Sequence, residues 1–85
     1  MENLKLTLMS QEEQFFSGDV KNVFVPGEEG NFEVLKNHQP IEAYLNPGKV
    51  RFTKVNGENV QVNISEGMIR VFHNEIYILC SSFKA

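Results

Sequence analysis

The fold of this chain is decided by residues 15–30, FFSGDVKNVFVPGEEG. Here an apolar run, Val20 to Val25, lies between two glycine-containing segments, Ser17-Gly18-Asp19 and Gly27-Glu28-Glu29-Gly30. A short apolar run with turn residues on both sides is typical of a β-strand. A further turn signal, Asn37-His38-Gln39-Pro40, follows soon after. This spacing predicts a chain built from short strands and sharp turns.

Outside this stretch, apolar and polar residues alternate with a period of two. The apolar positions are Leu4, Leu6 and Leu8; Ile41, Ala43 and Leu45; Val50 and Phe52; and Val60, Val62 and Ile64. Alternation of this kind predicts strands with one buried face and one wet face. Residues 20–25 and 69–72 are denser in apolar residues, so we expect these two strands to be covered on both faces.

The turn residues make more specific predictions. Asn46-Pro47-Gly48-Lys49 suits a type II turn in which Gly48 takes a positive φ. Asn56-Gly57 between two alternating runs predicts a hairpin with a type I′ turn, and residues 73–75 predict another short turn. Gly67 within a strand pattern predicts a bulge or a tight bend.

These patterns predict an all-β fold, a flattened β-sandwich or barrel of about eight to ten short, mostly antiparallel strands. Eighty-five residues suffice for one domain, which we assign to residues 1–85. Ser10 and Glu13 have the spacing of a capping box, but the segment from Ser10 to Gln14 is too short to form more than a turn.

Composition excludes several classes of function. A net charge of −3 disfavours a nucleic-acid partner, and Lys49, Arg51 and Lys54 form the only loose basic stripe. No apolar run approaches the roughly 20 residues that cross a bilayer, and Met1 to Leu4 do not begin a signal peptide. Cys80 is the only cysteine, and its apolar strand predicts a buried, unreactive thiol.

No catalytic or metal-binding pattern appears in the chain. His38 and His73 are far apart in sequence, and the serines have no nucleophile elbow around them. Gly27-Glu28-Glu29-Gly30 lacks the lysine of a phosphate-binding loop, and its carboxylates would repel phosphate. We expect this segment to be a solvent-facing loop tip. His38 remains open between a local turn residue and an interface residue, and Tyr44, Phe15 and Phe16 remain open between core and rim. The residues alone indicate a small acidic binding module without a cofactor.

The order of these motifs resembles the N-terminal β-sandwich of the epsilon subunit of rotary ATP synthases, over nearly the whole chain. The similarity includes the segment from Ser10 to Gly18, the valines and glycines between Val20 and Gly30, and the His38-Gln39-Pro40 turn. It continues through Pro47-Gly48-Lys49-Val50-Arg51 and Glu66-Gly67-Met68-Ile69. The chain departs from the family at Phe32-Glu33-Val34, at Lys36-Asn37 and at Gln39 to Glu42, which alters the surface. The family's C-terminal helical hairpin has no counterpart here, so we expect a one-domain form.

The resemblance implies a function and places residues in it. It implies a non-catalytic subunit of the central stalk of a proton-translocating ATP synthase, which couples rotation to ATP synthesis in the alpha/beta head. Its partners would be the gamma subunit, through Ser10 and His38, and the c-subunit ring, through Glu29, Gly30 and Asn31. It would be held on the cytoplasmic face of the bacterial inner membrane without entering the bilayer. The alternatives are a β-sandwich adaptor unrelated to ATP synthase and a small enzyme or ligand carrier.

Overall fold

The computed structural model describes residues 3–85, which form nine β-strands. These are β1 (Leu4–Ser10), β2 (Gln14–Val25), β3 (Phe32–Val34), β4 (Ile41–Leu45), β5 (Gly48–Lys54), β6 (Asn59–Ile64), β7 (Gly67–Phe72), β8 (Glu75–Cys80) and β9 (Phe83–Lys84). The all-β prediction and its strand number are confirmed. The segment between Ser10 and Gln14 forms a bend and no helix, as its length predicted.

The strands are hydrogen-bonded in the order β4-β7-β8-β1-β2-β5-β6-β9, and β3 pairs with β2. All of these pairs are antiparallel except β1 with β8, which is parallel. The first half of β2 pairs with β1, and its second half pairs with β3 and β5. The register shifts between Val20 and Asn22. A bulge bends and twists a strand, so β2 passes from one layer of the sandwich into the other at this point.

Both ends of this strand path return toward β2. Gly27, just after β2, bridges Leu45 at the end of β4, and Glu28 N–H donates to Tyr44 O at 2.9 Å. At the other end, the ring of Phe83 in β9 meets that of Phe15 in β2 edge-on, with centroids 5.3 Å apart. These contacts close the sandwich at its margins.

One core of alternating residues fills the space between the layers. Leu4, Leu6 and Leu8 of β1 face it, together with Phe52 of β5 and Ile76 and Ile78 of β8, each at most 2% exposed. The predicted coverage of both faces is wrong for residues 20–25 and 69–72. Phe24 and Phe72 are 36% and 54% exposed, because neither outer sheet face is covered by a further layer within residues 3–85.

The structure corrects the turn types. The hairpin at Asn56-Gly57 is confirmed, but its loop has three residues: Gly57 N–H donates to Lys54 O at 2.9 Å, and only Gly57 has a positive φ, of 94°. This is a type I turn followed by a glycine bulge. The two-residue loop with positive φ at both positions, as in a type I′ turn, is instead His73-Asn74, at 51° and 61°.

Two glycines serve close packing instead of a special φ. Gly48 has no positive φ, so the predicted type II turn is wrong; a Cβ there would lie 3.1 Å from Cβ of Pro26. Gly67 begins β7 with a continuous register on both neighbours, so no bulge forms, and the chain bends at Glu66 just before it. A Cβ on Gly67 would lie 2.7 Å from Leu79 O, which explains the glycine.

Replacing Leu6 by alanine tests the core. Leu6 is fully buried in the middle of β1. We expect Leu6→Ala to lower the free energy of unfolding by about 2–5 kcal/mol, because the side chain leaves a cavity between the layers. The measurement is urea unfolding, with Lys5→Ala on the exposed face of the same strand as the control. A loss below about 1 kcal/mol for Leu6→Ala would contradict this packing.

Candidate docking surface

Ser10 ends β1 and organises the bend that follows. Its Oγ accepts hydrogen bonds from the backbone N–H groups of Glu12 and Glu13, at 3.4 and 3.2 Å. Its own N–H donates to Glu13 O at 2.8 Å. Only half of the predicted capping box therefore forms, because Ser10 N–H bonds the backbone carbonyl of Glu13 and not its side chain, and the segment is a turn that leads straight into β2. The side chain is half-buried at one end of the sandwich.

His38 lies in the loop between β3 and β4, at the other end of β1. Its N–H donates to Leu35 O at 3.1 Å, and its Nδ1 lies 2.8 Å from Gln39 O. The neighbouring Asn37 bonds to Asn74, whose carbonyl accepts from Lys5 N–H near the start of β1. Since β1 has seven residues, Ser10 and His38 are separated by roughly 20 Å. The structure does not bring these two predicted gamma-contact residues together.

An exposed apolar surface lies between these two ends, on the outside of the β4-β7-β8-β1 layer. Tyr44 pairs with Met68, Met68 with Leu79, and Leu79 with Met9, in one row across four strands. Tyr44 is 65% exposed, Met68 40% and Leu79 51%, and Tyr77 of the next row is 47% exposed. We call Tyr44, Met68, Tyr77 and Leu79 the apolar face. Contiguous apolar patches on a surface mark sites of interaction.

Sequence reasoning singled out only Tyr44 from this face. Tyr77 and Leu79 do not stand out in the sequence, because inward and outward positions are both apolar in Ile76-Tyr77-Ile78-Leu79, and Met68 appears there only as part of Glu66-Gly67-Met68-Ile69. Such a run is equally typical of a strand covered on both sides. A strand that is apolar on both sides needs a packed layer over each side, so the sequence did contain a sign of a docking face. Residues 3–85 provide no layer over the outer side of this strand.

Polar groups border the apolar face. Arg70 Nε lies 3.1 Å from the Glu42 carboxylate across the β4–β7 pair, and both side chains are well exposed. Tyr77 Oη donates to Glu75 Oε1 at 2.6 Å. This hydrogen bond, together with the negative charge of Glu75, raises the pKa of Tyr77 above that of a free tyrosine. Grooves extend from the face toward both ends, one past Gln11 and one past Pro40.

The outer face of the other layer is polar and basic. Lys49 pairs with Asn63 and Asn63 with Lys84, while Arg51 pairs with Gln61. The Arg51 guanidinium lies 4.9 Å from the ring centroid of Phe24 and covers it. Lys54, the third residue of the predicted basic stripe, instead pairs with Glu58 at 3.4 Å. The two faces of the sandwich therefore differ in chemistry.

Glu29, Gly30 and Asn31 lie in an exposed loop tip. The predicted tip segment, Gly27 to Gly30, is exposed except for Gly27, which is buried. Gly30 N–H donates to Gly27 O at 3.1 Å, and Gly30 has a φ of 135°, which favours glycine. The bridge to β4 anchors the base of this loop. The tip presents the carboxylates of Glu28 and Glu29 to solvent, which suits contact with polar or basic groups.

Cys80 belongs to the core, as predicted, with 3% of its surface exposed. Burial raises the pKa of its thiol, and Sγ lies 3.6 Å from Met9 O. Among residues 3–85, no three His, Cys, Asp or Glu side chains are grouped as metal ligands would be. Within the same range there is no helix with the length and apolarity to cross a membrane.

The Tyr77–Glu75 bond gives a test of the geometry of the apolar face. In a Tyr44→Phe background, Tyr77 is the only tyrosine. Its hydrogen bond is intact below the usual tyrosine pKa and is lost as pH rises through the raised value. Glu75→Gln removes the negative charge, so we expect it to lower the pKa of Tyr77. Titration followed by ultraviolet absorbance measures this, with Glu42→Gln as the matched control. An unchanged titration in Glu75→Gln would contradict the contact.

Comparisons with known proteins agree with this architecture. The family model described as "ATP synthase, Delta/Epsilon chain, beta-sandwich domain" matches residues 3–85. A Wolinella succinogenes protein named "ATP synthase epsilon chain" is 42% identical over 71 residues, covering 84% of this chain and 54% of that protein. A Clostridium botulinum protein of the same name is 30% identical over 81 residues, covering 95% and 61%. The chain thus spans about half to three fifths of the length of these relatives.

Solved structures show the same fold. A chain in the Euglena gracilis mitochondrial ATP synthase structure, which comprises OSCP, F1 and c-ring, superposes with a TM-score of 0.90 at 25% identity. The match covers 96% of this chain and 52% of that one. A chain in the Tetrahymena thermophila central stalk and c-ring structure has a TM-score of 0.83 at 13% identity, which supports the fold alone. The chain belongs to the family of ATP synthase delta and epsilon chain beta-sandwich domains.

Proposed function

We propose that this domain is a rotor component of a proton-translocating ATP synthase. It binds the gamma subunit and the c-subunit ring in the central stalk and couples ring rotation to ATP synthesis in the catalytic head. The family match and the epsilon chain relatives support this proposal, as does the likeness to a chain in an assembly with F1 and c-ring. By the same reasoning the domain lies at the cytoplasmic face of the bacterial inner membrane, where its partner subunits hold it.

The observation that carries the proposal is the apolar face. Ser10 and His38, both assigned to the gamma interface, lie at opposite ends of β1, so a partner that touches both must extend along the surface between them. The apolar face occupies that surface. Its four large side chains retain about half of their surface in contact with solvent. Covering them would contribute on the order of 5 kcal/mol, which is a substantial part of the energy of a stable interface.

The domain is proposed to act mechanically, without catalytic groups of its own. Hydroxyl and imidazole groups at the two ends of β1 are engaged in local hydrogen bonds of turns, as at Ser10 and His38. A sandwich with a close-packed core and strands bonded across both layers resists deformation, which suits the transmission of torque. The chemistry of ATP synthesis then belongs to the alpha/beta head.

The loop tip of Glu29, Gly30 and Asn31 is the proposed contact with the c-subunit ring. Its backbone is tied to β4 at Tyr44 and Leu45, so the tip is an extension of the rigid sandwich. Its carboxylates favour polar or basic loops on the partner. A loop transmits force only if its base is fixed to the domain. The bridge between Gly27 and Leu45 fixes the base of this loop.

Affinity capture tests the proposal as a whole. The chain would be tagged and captured from mildly solubilised membranes of its own source. We expect gamma, alpha, beta and c subunits to co-purify in stable proportion. Recovery of the chain alone, or with unrelated partners, would overturn the rotor assignment and favour the adaptor alternative.

Substitutions on the apolar face test the gamma contact. We expect the double variant Met68→Thr, Leu79→Thr to weaken gamma binding at least tenfold, because it removes apolar surface buried in the complex. Threonine keeps the preference for a strand, so the fold should persist. Val55→Thr is a matched control, since Val55 is 53% exposed but lies in the β5–β6 hairpin loop. Equal binding by the double variant and the control, measured by calorimetry, would contradict the gamma assignment.

Charge reversal at the loop tip tests the c-ring contact. We expect Glu29→Lys to reduce ATP-driven proton pumping in membrane vesicles while gamma binding is retained, because the substitution leaves the four side chains of the apolar face unchanged. Glu58→Lys, at an exposed hairpin of the other layer, is the control. Unchanged pumping with Glu29→Lys would show that this loop does not couple the stalk to the ring.

A further inference from the structure

Three residues other than glycine adopt a positive φ among the described residues, and they meet at one end of the sandwich. They are Asn37 at 67°, His73 at 51° and Asn74 at 61°. Residues with a Cβ avoid this region, although asparagine tolerates it best. Asn37 lies in the loop that carries His38, and the other two form the turn between β7 and β8. Unfavourable backbone conformations persist where surrounding contacts hold them in place.

The two asparagines hold each other. The backbone N–H of Asn37 donates to Oδ1 of Asn74 at 2.6 Å, and Nδ2 of Asn74 donates to Oδ1 of Asn37 at 3.3 Å. Glycine would take the same φ at either position without strain, but it has no carboxamide to form these bonds. The pair therefore explains why asparagine stands at both places.

Asn74 is tied to β1 as well as to the His38 loop. Its backbone carbonyl accepts from Lys5 N–H at 2.8 Å, and Lys5 lies near the start of β1. The connection therefore runs from His38 through Asn37 and Asn74 to the strand whose far end is Ser10. Within the loop, His38 also bonds locally, from its backbone N–H to Leu35 O and between Nδ1 and Gln39 O.

We propose that Asn74 is the positioning residue for the gamma-facing loop. It sets the place of His38 relative to β1, and hence the spacing of His38 from Ser10 along the docking surface. A partner that engages both ends of β1 gains affinity from this spacing, because the loop is already in its bound position before contact. The inference rests on the proposed gamma contact of His38 and adds a residue to it that does not itself touch the partner.

The test uses the full chain with three variants. Asn74→Gly keeps the positive φ and the Lys5 bond but removes both carboxamide bonds. Asn74→Asp restores an oxygen that accepts from Asn37 N–H. Asn56→Gly is the matched control, because Asn56 Oδ1 also accepts a backbone N–H, that of Glu58 at 2.9 Å, in the hairpin of the other layer. Each variant is measured for amide hydrogen exchange at residues 37 and 38, for thermal unfolding, and for affinity to the gamma subunit.

We expect Asn74→Gly to speed amide exchange at residues 37 and 38 and to weaken gamma binding by about five- to tenfold. Its unfolding midpoint should stay within about 4 °C of the wild-type value, since the lost bonds are at the surface. Asn74→Asp should recover most of the affinity, and Asn56→Gly should leave both exchange and affinity unchanged. A merely structural role would lower the midpoint without this selective loss of binding.

Two results would overturn the inference while leaving the proposed function intact. One is unchanged exchange at residues 37 and 38 in Asn74→Gly, measured on the free protein. The other is faster exchange with unchanged affinity, in a preparation where His38→Ala weakens gamma binding. If the wild-type chain fails to bind gamma at all, the proposed function itself is wrong and this inference falls with it. The wild-type measurement therefore separates the two failures.

Discussion

The pairing of β1 with β8 is the contact on which the rest of the domain depends. It is the parallel ladder of the strand path, and it joins the first strand of the chain to the eighth. Leu6 and Leu8 face the core beside Ile76 and Ile78, and all four are almost fully buried. Because β1 also pairs with β2, which enters both layers, this contact links the two halves of the sandwich. A parallel pair needs a long connection, so it forms only when most of the chain is in place.

The candidate docking surface is a consequence of this pairing. When β8 lies beside β1, Leu79 comes opposite Met9 and extends the row from Tyr44 and Met68 to the edge of β2. The same register places Asn74 beside the start of β1. There its backbone carbonyl accepts a hydrogen bond from Lys5 N–H, and its side chain accepts one from Asn37 N–H. The β1–β8 pairing therefore determines both the arrangement of the apolar face and the position of the His38 loop. The opposite layer presents lysine, arginine and asparagine instead, so the domain has one face suited to apolar docking.

The turns are the part of the structure that local sequence patterns predicted least well. Asn56-Gly57 indicated a hairpin correctly, but the strand ends on either side left room for a third loop residue, and the turn became type I. His73-Asn74 contains no glycine, yet both residues take a positive φ, because Asn74 is held by Lys5 and Asn37 from other parts of the chain. Gly48 and Gly67 appeared as turn and bulge residues and proved to be sites of close approach. At Asn74, Gly48 and Gly67 the contact that matters comes from a distant part of the sequence.

The sequence by itself determined the strand alternation, the buried position of Cys80, the exposed loop tip at Glu29 to Asn31, and a motif order that indicated the family. These features follow from local side-chain periodicity and from the backbone preferences of glycine and proline, which act within a few residues. Only the tertiary structure decided that Ser10 and His38 lie at opposite ends of one strand, that Met68, Tyr77 and Leu79 form an uncovered surface between them, and that Asn74 supports the His38 loop. Each of these depends on which strands are neighbours and in what register, and that is settled by packing across the whole core.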